Sequence, residues 1–590
     1  MRKWLKMPIT CLVSCGISAT SMLFPVAESY AVDEIVPEGA SAITERHIVK
    51  ASKMMVVSGN QQASEAGMEI LKKGGSAVDA AIAVQMVLNI VEPQASGIGG
   101  GGFLVFYNAR TQKIETYDGR ETAPLRASPT MFLNDDQKPK DFEDVLVGGM
   151  SVAVPGVLRM LELAHKEHGK VKWATLFESA IKLARDGFNV SDRLYEVASK
   201  EGHLGDIRTT AHYFLDKHET PKKPGTLIKN PELADTFTLI AEKGASAFYT
   251  GDLANDIVKA IHESPVNPGV MSLKDLASYK AVKRAPVCMQ YHVYSVCGMG
   301  APSSGPTAVL QALGILSQFD LASLSPQSVK AVHVITEATR LAFADRNLYL
   351  ADGDKVHIPA AADLLNADYL KQRSHLIDEK RRMNKAPAGD ICPRCEESAN
   401  LDFPSTTHFS IVDQFGNVVS MTSSIEHAFG SSLMVRGFLL NNQMTDFAFE
   451  PQKGWHKVAN RVEPGKRPRS SMSPMIVLRT TKDHRKEFYM AIGSPGGAMI
   501  IPFVLQTIIA VLDWNLDIQE AISMPHFLTI GDNVQLEKGT NITSLSRQLQ
   551  SLGHPVEITE LTSGLHGIVR DKGIYYGGAD PRREGLAVGE

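Results

Sequence analysis

Apolar positions along the chain fall into two kinds of block that alternate from end to end. Residues 61–73, 157–168 and 327–349 carry apolar side chains at helical spacing between capping residues, Gly or Pro, and predict helices. Residues 103–107 and 475–478 are short apolar runs between turn residues and predict strands. Because the strands form hairpins rather than regular β-α-β units, the pattern predicts antiparallel sheets covered by helices, an α+β layered domain.

Residues 405–424 predict a hairpin at the end of a polar segment, 385–404. A Thr that opens a strand is ordinarily there for its β-propensity. Thr406, however, would become a new N-terminus if the chain were cut after Ser405. Its hydroxyl would then be a nucleophile and its own α-amine, with a pKa of about 7.7–8, the general base.

A glycine run at 97–102 satisfies the GxGxxG pattern of dinucleotide-binding folds. It follows a predicted helix and precedes the predicted strand 103–107, which is the reverse of the order that the fingerprint requires. We therefore expect close backbone packing, or a loop beside the active site, rather than a nucleotide site.

Composition is that of an ordinary soluble protein: 590 residues, 44% hydrophobic, 21% charged and a net charge of −4. The chain has no excess of basic residues, which would be needed to favour nucleic acid as a partner. The apolar run at 78–91 contains Asp79 and the run at 500–512 is short, so both predict buried helices and no membrane span in the mature chain.

Residues 1–31 have the pattern of a secretory signal peptide. Arg2, Lys3 and Lys6 precede a mostly apolar stretch at 9–24, and Ser29-Tyr30-Ala31 offers small residues for cleavage. The alternative, an N-terminal membrane anchor, is disfavoured because prolines bracket too short an apolar run. We expect an exported protein, periplasmic or secreted.

Four cysteines remain after residue 31. Cys288 and Cys297 flank a predicted turn, and Cys392 and Cys395 form a CxxC pair. In an exported protein two local disulfides are the favoured interpretation. No β-α-β pattern supports a redox motif, and one CxxC pair without a second pair or histidine partners is weak evidence for zinc, so we expect no metal and no cofactor.

Four ordered motifs identify a resemblance that covers most of the chain. They are Thr406-Thr407-His408 and the stretches at 439–447, 466–474 and 493–497. Together they resemble the gamma-glutamyltranspeptidase family, whose members are N-terminal-nucleophile hydrolases that cut themselves. The resemblance implies a large subunit at 32–405, a small subunit at 406–590, and a four-layer αββα sandwich that the two chains build jointly.

The resemblance also assigns roles in catalysis. Thr406 would attack the Ser405 carbonyl to cut the chain, and would then attack the substrate. Ser424, where the family usually has Thr, would hydrogen-bond the nucleophile. The backbone N–H groups of Gly496 and Gly497, between a strand and a helix, would hold the oxyanion.

Other matching positions would bind the substrate. Arg120 would hold a carboxylate through its guanidinium fork, helped by the hydroxyls of Ser470 and Ser471. Gln443 and Asp446 would receive an α-ammonium group.

Two features depart from the family. Glu426 stands beside the ammonium position where Asn is common; it would strengthen ammonium binding, raise a carboxyl pKa by like-charge repulsion, or shift acyl preference. The stretch 448–465 is shorter than the usual lid loop and lacks Tyr. Either Trp455 covers the pocket or the site is more open, which would favour hydrolysis over transfer.

The leading hypothesis is thus a self-processing gamma-glutamyl transferase or hydrolase. It would cleave glutathione, glutamine and related donors through a gamma-glutamyl-Thr406 ester and pass the acyl group to water, an amino acid or a peptide. The alternative is a cephalosporin (glutaryl) acylase-like amidase; Asp446 argues against it and Glu426 leaves it open. A non-catalytic exported binding protein is disfavoured, as is a serine hydrolase of the nucleophile-elbow type, since no GxSxG occurs.

Overall fold

A computed structural model describes residues 43–398 and 405–590 of the chain. The predicted signal peptide at 1–31 and the end of the polar segment before Ser405 lie outside the described residues.

Two seven-stranded sheets, antiparallel throughout, form the centre of the fold. The first sheet contains, in spatial order, Leu586–Gly589, Met55–Ser58, Thr407–Val412, Val418–Ser424, Gly101–Asn108, Lys113–Asp118 and Val282–Arg284. The second contains Val49–Ala51, Ile574–Ala579, His566–Asp571, Lys486–Gly493, Met475–Thr480, Tyr294–Gly298 and Val287–Tyr291.

Alternate residues of the strands serve two different cores. Val105 and Val412 of the first sheet pack with Ile476 and Ile568 of the second, so the two sheets face each other. Ile411, one position along from Val412, instead joins the core beneath the helices. Because successive side chains of a strand point to opposite faces, this places apolar packing on both faces of the first sheet.

Helices pack against the outer side of each sheet. Gln61–Lys72, Ala77–Val91 and Val157–His168 contact the first sheet, whereas Gly305–Leu316, Ile500–Leu512 and Ile518–Ser523 contact the second. Further helices extend these layers or connect them: Phe142–Leu146, Glu178–Asp186, Asp192–Lys200, Arg208–Phe214, Pro231–Lys243, Ser246–Tyr249, Asp252–His262, Leu273–Ser278, Val329–Tyr349, Ala361–Leu364, Ala367–Ser374 and Ser546–Ser551.

The helix Ala77–Val91 shows how local sequence places the site. Ser76 and Asp79 form a capping box at its start, and all of its residues are buried. It ends before Pro93, which cannot continue a helix. The loop that follows therefore leaves the helix beside the strands that carry Thr406 and Ser424.

The mixed α+β prediction is confirmed, and most element bounds agree with the pattern. The helices predicted at 61–73 and 327–349 are observed at Gln61–Lys72 and Val329–Tyr349. The segment 49–58 supplies two strands, Val49–Ala51 and Met55–Ser58, one to each sheet.

Two disulfides are present. Cys288 and Cys297 occupy paired positions on adjacent strands, and Cys392 is bonded to Cys395. Across residues 43–398 and 405–590, no helix combines the length and apolar character needed to cross a bilayer.

Candidate active site

The hairpin of the first sheet brings Thr406 and Ser424 together. Its register pairs Thr407 with Ser423, so Thr406 and Ser424 face each other just beyond the last pair. Their hydroxyl oxygens are 3.3 Å apart, and both residues are buried. The hairpin and this pairing agree with the sequence analysis.

The chain is continuous across Ser405 and Thr406, and the carbonyl between them is held by two hydroxyls. Thr406 Oγ1 lies 2.6 Å from the Ser405 carbonyl oxygen. Ser424 Oγ donates to the same oxygen at 2.7 Å and accepts from the Glu426 amide at 2.8 Å. The Glu426 amide thus fixes the direction of the Ser424 hydroxyl, which polarises the carbonyl beside the Thr406 hydroxyl.

The glycine run next to this hairpin has a steric explanation. A Cβ at Gly99 would lie 2.0 Å from the Leu439 carbonyl oxygen, and one at Gly100 would lie 2.1 Å from that of Ser424. No side chain fits at either position. This is the close backbone packing beside the active site that the order of elements predicted.

Two residues at the end of the helix Ala77–Val91 hold the chain on either side of Thr406. Glu92 Oε2 accepts from the Thr407 hydroxyl at 2.9 Å, and the Gln94 carbonyl accepts from the Ser405 hydroxyl at 3.0 Å. Burial raises the pKa of Glu92. Sequence analysis missed both residues, because a Glu and a Gln beside a proline carry no signal of a partner some 300 residues away.

The turn at Gly496 and Gly497 leads into the helix Ile500–Leu512. Their φ angles of +131° and +55° are accessible to glycine at little cost. Gly497 lines the same cleft as Thr406. The turn therefore places a glycine, which has no side chain, at the edge of the cleft.

A cleft of about 290 Å³ collects nine of the ten predicted catalytic and substrate-binding residues. Gly496 is the exception and lies next to the lining residue Gly497. The lining consists of Arg120, Thr406, Ser424, Glu426, Gln443, Asp446, Ser470, Ser471, Met472, Gly497 and Ile500.

Arg120 is the buried cation of the cleft, with a side chain only 1% exposed. Its guanidinium pairs with Asp446 and lies 3.3 Å from Glu121. It also donates to the carbonyls of Pro468 at 3.2 Å and Arg469 at 3.0 Å. These contacts fix the guanidinium plane against the loop that carries Ser470 and Ser471.

Three carboxyl groups surround this one guanidinium. Glu426 is buried at a φ of +80°, and within residues 43–398 and 405–590 neither of its carboxyl oxygens has a hydrogen-bond partner. Burial, followed by the charge of Asp446, raises the pKa of Glu426 well above its ordinary value. Burial also raises the pKa of Glu121 to about 8. Burial thus favours the protonated form of both glutamates relative to a carboxyl group in water.

Gln443 connects the two glutamates. With its amide oriented to suit its neighbours, its nitrogen donates to Glu121 at 3.0 Å and its oxygen accepts from the Glu426 amide at 3.0 Å. The same oxygen lies 3.3 Å from Arg120 Nη1. Glu121 is a third residue that sequence analysis missed; its place directly after Arg120 was the available signal.

The predicted serines sit on a loop that is braced from the large N-terminal part of the chain. Ser471 Oγ accepts from Arg346 at 2.5 Å, and the Ser470 carbonyl accepts from the Ser304 amide at 2.7 Å. Ser304 Oγ in turn accepts from Arg346 at 2.9 Å. Arg346 is therefore a support for this loop that its position in a long helix did not reveal.

Trp455 does not cover the cleft, and that expectation is wrong for this structure. It is 97% exposed at the tip of a small hairpin, Gln452–Lys453 with His456–Lys457, and is not part of the cleft lining. The tip of a two-stranded hairpin has no core to receive an indole.

Among the described residues, two clusters have the geometry to hold a metal ion, and neither contains a residue of the cleft. In the first, Glu115, Glu167 and His168 meet, and the Lys283 ammonium already contacts both carboxylates. The second consists of His357, Cys392 and Cys395.

Comparison with known proteins extends these observations over the whole chain. A family model described as gamma-glutamyltranspeptidase matches residues 63–590. The glutathione hydrolase proenzyme of Bacillus subtilis (strain 168) is 37% identical over 552 residues, which cover 91% of each chain. The acylase ACY 1 proenzyme of Pseudomonas sp. (strain SE83) is 33% identical over 563 residues, covering 94% of this chain and 96% of that protein.

Among solved structures, the cephalosporin acylase from Bacillus halodurans superposes with a TM-score of 0.80 at 24% identity. The superposition covers 96% of this chain and 99% of that one. At this identity the likeness concerns the fold, one of mixed helices and sheets.

Proposed function

The chain belongs to the gamma-glutamyltranspeptidase family, and we propose from that premise that it cleaves gamma-glutamyl amides after cutting itself between Ser405 and Thr406. Glutathione, glutamine and related compounds are the donors, and water, an amino acid or a peptide is the acceptor. The self-cut yields a large subunit, 32–405, and a small subunit, 406–590, which together form a four-layer αββα sandwich. No cofactor takes part in this scheme.

The observation that carries the proposal is the 2.6 Å approach of the Thr406 hydroxyl to the carbonyl oxygen before it. Attack by Oγ1 on the Ser405 carbonyl carbon forms an ester, breaks the peptide C–N bond and moves the hydroxyl proton to the Thr406 nitrogen. Water then hydrolyses the ester and leaves a free Thr406 hydroxyl and amine. Ser424, 2.7 Å from the carbonyl oxygen, donates to the oxyanion that forms during the attack.

The freed Thr406 then acts on the donor. Its amine takes the hydroxyl proton while Oγ1 attacks the gamma-carbonyl carbon of the donor. The N–H groups of Gly496 and Gly497 stabilise the oxyanion, and the amine returns the proton to the leaving group. Water or an acceptor amine attacks the gamma-glutamyl ester in the second half of the reaction.

Donor recognition follows from the charges of the cleft. Arg120, with Ser470 and Ser471, receives the α-carboxylate. Gln443 and Asp446 receive the α-ammonium, with Glu426 beside it. In the structure Arg120 pairs with Asp446. A zwitterionic donor can insert between these two groups and satisfy both, so that neither buried charge is left unpaired.

A glutaryl amidase is the second candidate, favoured by the 33% identity to the acylase proenzyme. A glutaryl group carries a carboxylate for Arg120 but no ammonium for Asp446 and Glu426. It would therefore replace Asp446 as the counter-charge of Arg120 but bring no counter-charge to Asp446. For this reason we prefer gamma-glutamyl amides over glutaryl amides as the proposed substrates.

Export is part of the proposal. The leader pattern at 1–31 and the two disulfides, Cys288–Cys297 and Cys392–Cys395, suit an oxidising compartment, periplasmic or extracellular.

The test compares wild type, Thr406→Ala and Thr406→Ser. Denaturing electrophoresis of wild type should show two fragments, and Edman degradation of the smaller should begin Thr-Thr-His. Thr406→Ala should stay intact and release no chromophore from a gamma-glutamyl anilide, whereas Thr406→Ser, which keeps a hydroxyl, should retain both reactions at reduced rate. Activity in an intact Thr406→Ala chain would refute the mechanism, and faster release from a glutaryl anilide would select the second candidate.

A further inference from the structure

A nitrogen and two sulfur atoms meet outside the cleft, on the part of the chain that precedes the cut. The ring of His357 and the sulfurs of Cys392 and Cys395 place one ligand atom each within 4.8 Å of one another. The sequence shows the CxxC pair without a histidine partner; the fold supplies one from 35 positions earlier. This removes the main objection to a metal site at the CxxC pair.

Cys392 and Cys395 lie in a hydrogen-bonded turn. The Cys395 amide donates to the Cys392 carbonyl at 3.0 Å, and both side chains pack against an apolar cluster that includes Tyr349 and Leu364. Beyond it, the Ser398 amide donates to the Leu348 carbonyl at 3.0 Å. The segment therefore keeps its place through contacts other than the disulfide.

The beginning of the same segment is anchored in the same way. The Gly389 amide donates to Asp345 Oδ1 at 2.8 Å, and the Tyr349 hydroxyl bonds the Gly389 carbonyl. Both anchors belong to the helix Val329–Tyr349.

The side chain of His357 is exposed, and the backbone that leads to it is supported independently of the cysteines. His357 follows a turn in which the Lys355 and Val356 amides donate to the Asp352 carbonyl at 3.0 and 3.1 Å. The Asp352 carboxylate accepts from the Arg467 amide at 2.8 Å. The two halves of the cluster thus come from separate, supported backbone segments, as in a preformed site.

We propose that His357, Cys392 and Cys395 bind a zinc ion when the Cys392–Cys395 disulfide is reduced. Two molecules of a low-molecular-weight thiol reduce the disulfide to two cysteine thiols and are oxidised to their own disulfide. Zn²⁺ then binds two thiolates and one imidazole nitrogen with release of two protons. Water occupies the fourth position.

The chemistry of the three ligands selects this ion class. Thiolate and imidazole favour zinc over the oxygen-seeking calcium and magnesium ions. Zn–S and Zn–N distances of about 2.3 and 2.0–2.1 Å place tetrahedral ligands about 3.5 Å apart, which is within the 4.8 Å spread of these atoms. Because the disulfide consumes both thiolates, the bonded and zinc-bound forms exclude each other.

The test uses the full-length protein reduced with a phosphine and then freed of reductant without air. Co²⁺ and Zn²⁺ are added in turn, and bound zinc is counted after equilibrium dialysis. We expect one zinc per chain, and with Co²⁺ a thiolate-to-metal charge-transfer band together with visible bands of a tetrahedral site. Air-oxidised wild type should bind no stoichiometric zinc. Absence of stoichiometric binding to the reduced protein overturns the proposal.

Variants separate this site from other thiols and from surface binding. His357→Ala should weaken zinc binding at least about tenfold, and Cys392→Ser with Cys395→Ser should abolish it. The matched control, Cys288→Ser with Cys297→Ser, removes the other cysteine pair and should keep one zinc. Far-ultraviolet circular dichroism confirms that each variant is folded. Binding that survives loss of Cys392 and Cys395, or that is insensitive to His357→Ala, contradicts the assignment.

Discussion

Replacing Ser424 by Ala should slow self-cleavage far more than its small loss of volume suggests. Ser424 Oγ donates to the Ser405 carbonyl oxygen at 2.7 Å and is aimed by the Glu426 amide at 2.8 Å. Among the described residues, the donors to that oxygen are this hydroxyl and that of Thr406, which is the proposed nucleophile. The developing oxyanion therefore depends on Ser424.

The expected magnitude follows from the charge that the bond must stabilise. A neutral hydrogen bond contributes about 0.5–1.5 kcal/mol, which would slow cleavage by at most about tenfold. A preorganised donor to an oxyanion contributes about 2.7–4 kcal/mol, or a factor of about 10²–10³ in rate. Since the Ser405 oxygen becomes charged only in the transition state, the larger range applies.

The assay follows conversion of freshly purified precursor to two fragments by denaturing electrophoresis. Ser424→Thr keeps the hydroxyl and should cleave at close to the wild-type rate. The matched control is Ser423→Ala, which removes the neighbouring buried hydroxyl, bonded to Gln85 at 2.5 Å and not to Ser405. Equal rates in Ser424→Ala and Ser423→Ala would show that the carbonyl is polarised by another group and would refute the reasoning.

Three further predictions concern the charges of the cleft. Arg120→Lys loses the guanidinium fork, so the KM of a gamma-glutamyl anilide should rise about 10- to 100-fold while self-cleavage is unchanged; an unchanged KM would remove Arg120 from donor binding. Because the pKa of Glu426 is raised and an ammonium ligand favours its ionised form, the wild-type KM should increase as pH falls below that pKa. Glu426→Gln should abolish this dependence, and a KM with the same pH slope in both proteins would contradict it. The pKa of Glu121 is about 8 in the folded protein and about 4.3 in an unfolded chain, so its contribution to stability is lost as pH rises between these values, by up to about 1.4 kcal/mol per pH unit. The Tm of Glu121→Gln should therefore fall less between pH 5.5 and 8 than the Tm of wild type. Equal decreases in the two proteins would argue against a raised pKa of Glu121.

The local sequence was sufficient to predict many of the helices and strands that position the site. The capping box at Ser76 and Asp79 and the terminating Pro93 fix the helix Ala77–Val91 through bonds within a few residues. The hairpin that carries Thr406 and Ser424 likewise depends on one turn and two apolar strands. Patterns of this kind are readable because their partners are close in sequence.

Other contacts in the site join residues that are far apart in the sequence, and the sequence pattern did not predict them. Glu92 reaches Thr407 across 315 positions, and Arg120 reaches Asp446 across 326. No periodicity encodes such a meeting. Motif resemblance found Arg120 and Asp446 because it names positions directly, but it could not show that they pair with each other. For the same reason the sequence did not predict that His357 lies close to Cys392 and Cys395.

The charges of the cleft link donor binding to the basicity of the nucleophile. Arg120 and Asp446 offset each other's charge, and burial raises the pKa of both Glu121 and Glu426, which favours their protonated forms. In the proposed mechanism, cleavage adds the amine of Thr406, which must be uncharged to serve as a base. An ionised Glu426 in the same cleft raises the pKa of that amine, whereas a protonated Glu426 does not. Since the donor ammonium neutralises the Glu426 carboxylate that it ionises, a bound donor offsets this effect and leaves the amine free to accept a proton. Glu426, whose carboxyl oxygens have no hydrogen-bond partner among the described residues, is thus compatible with catalysis. The α-ammonium of the donor supplies the positive charge that its carboxylate needs.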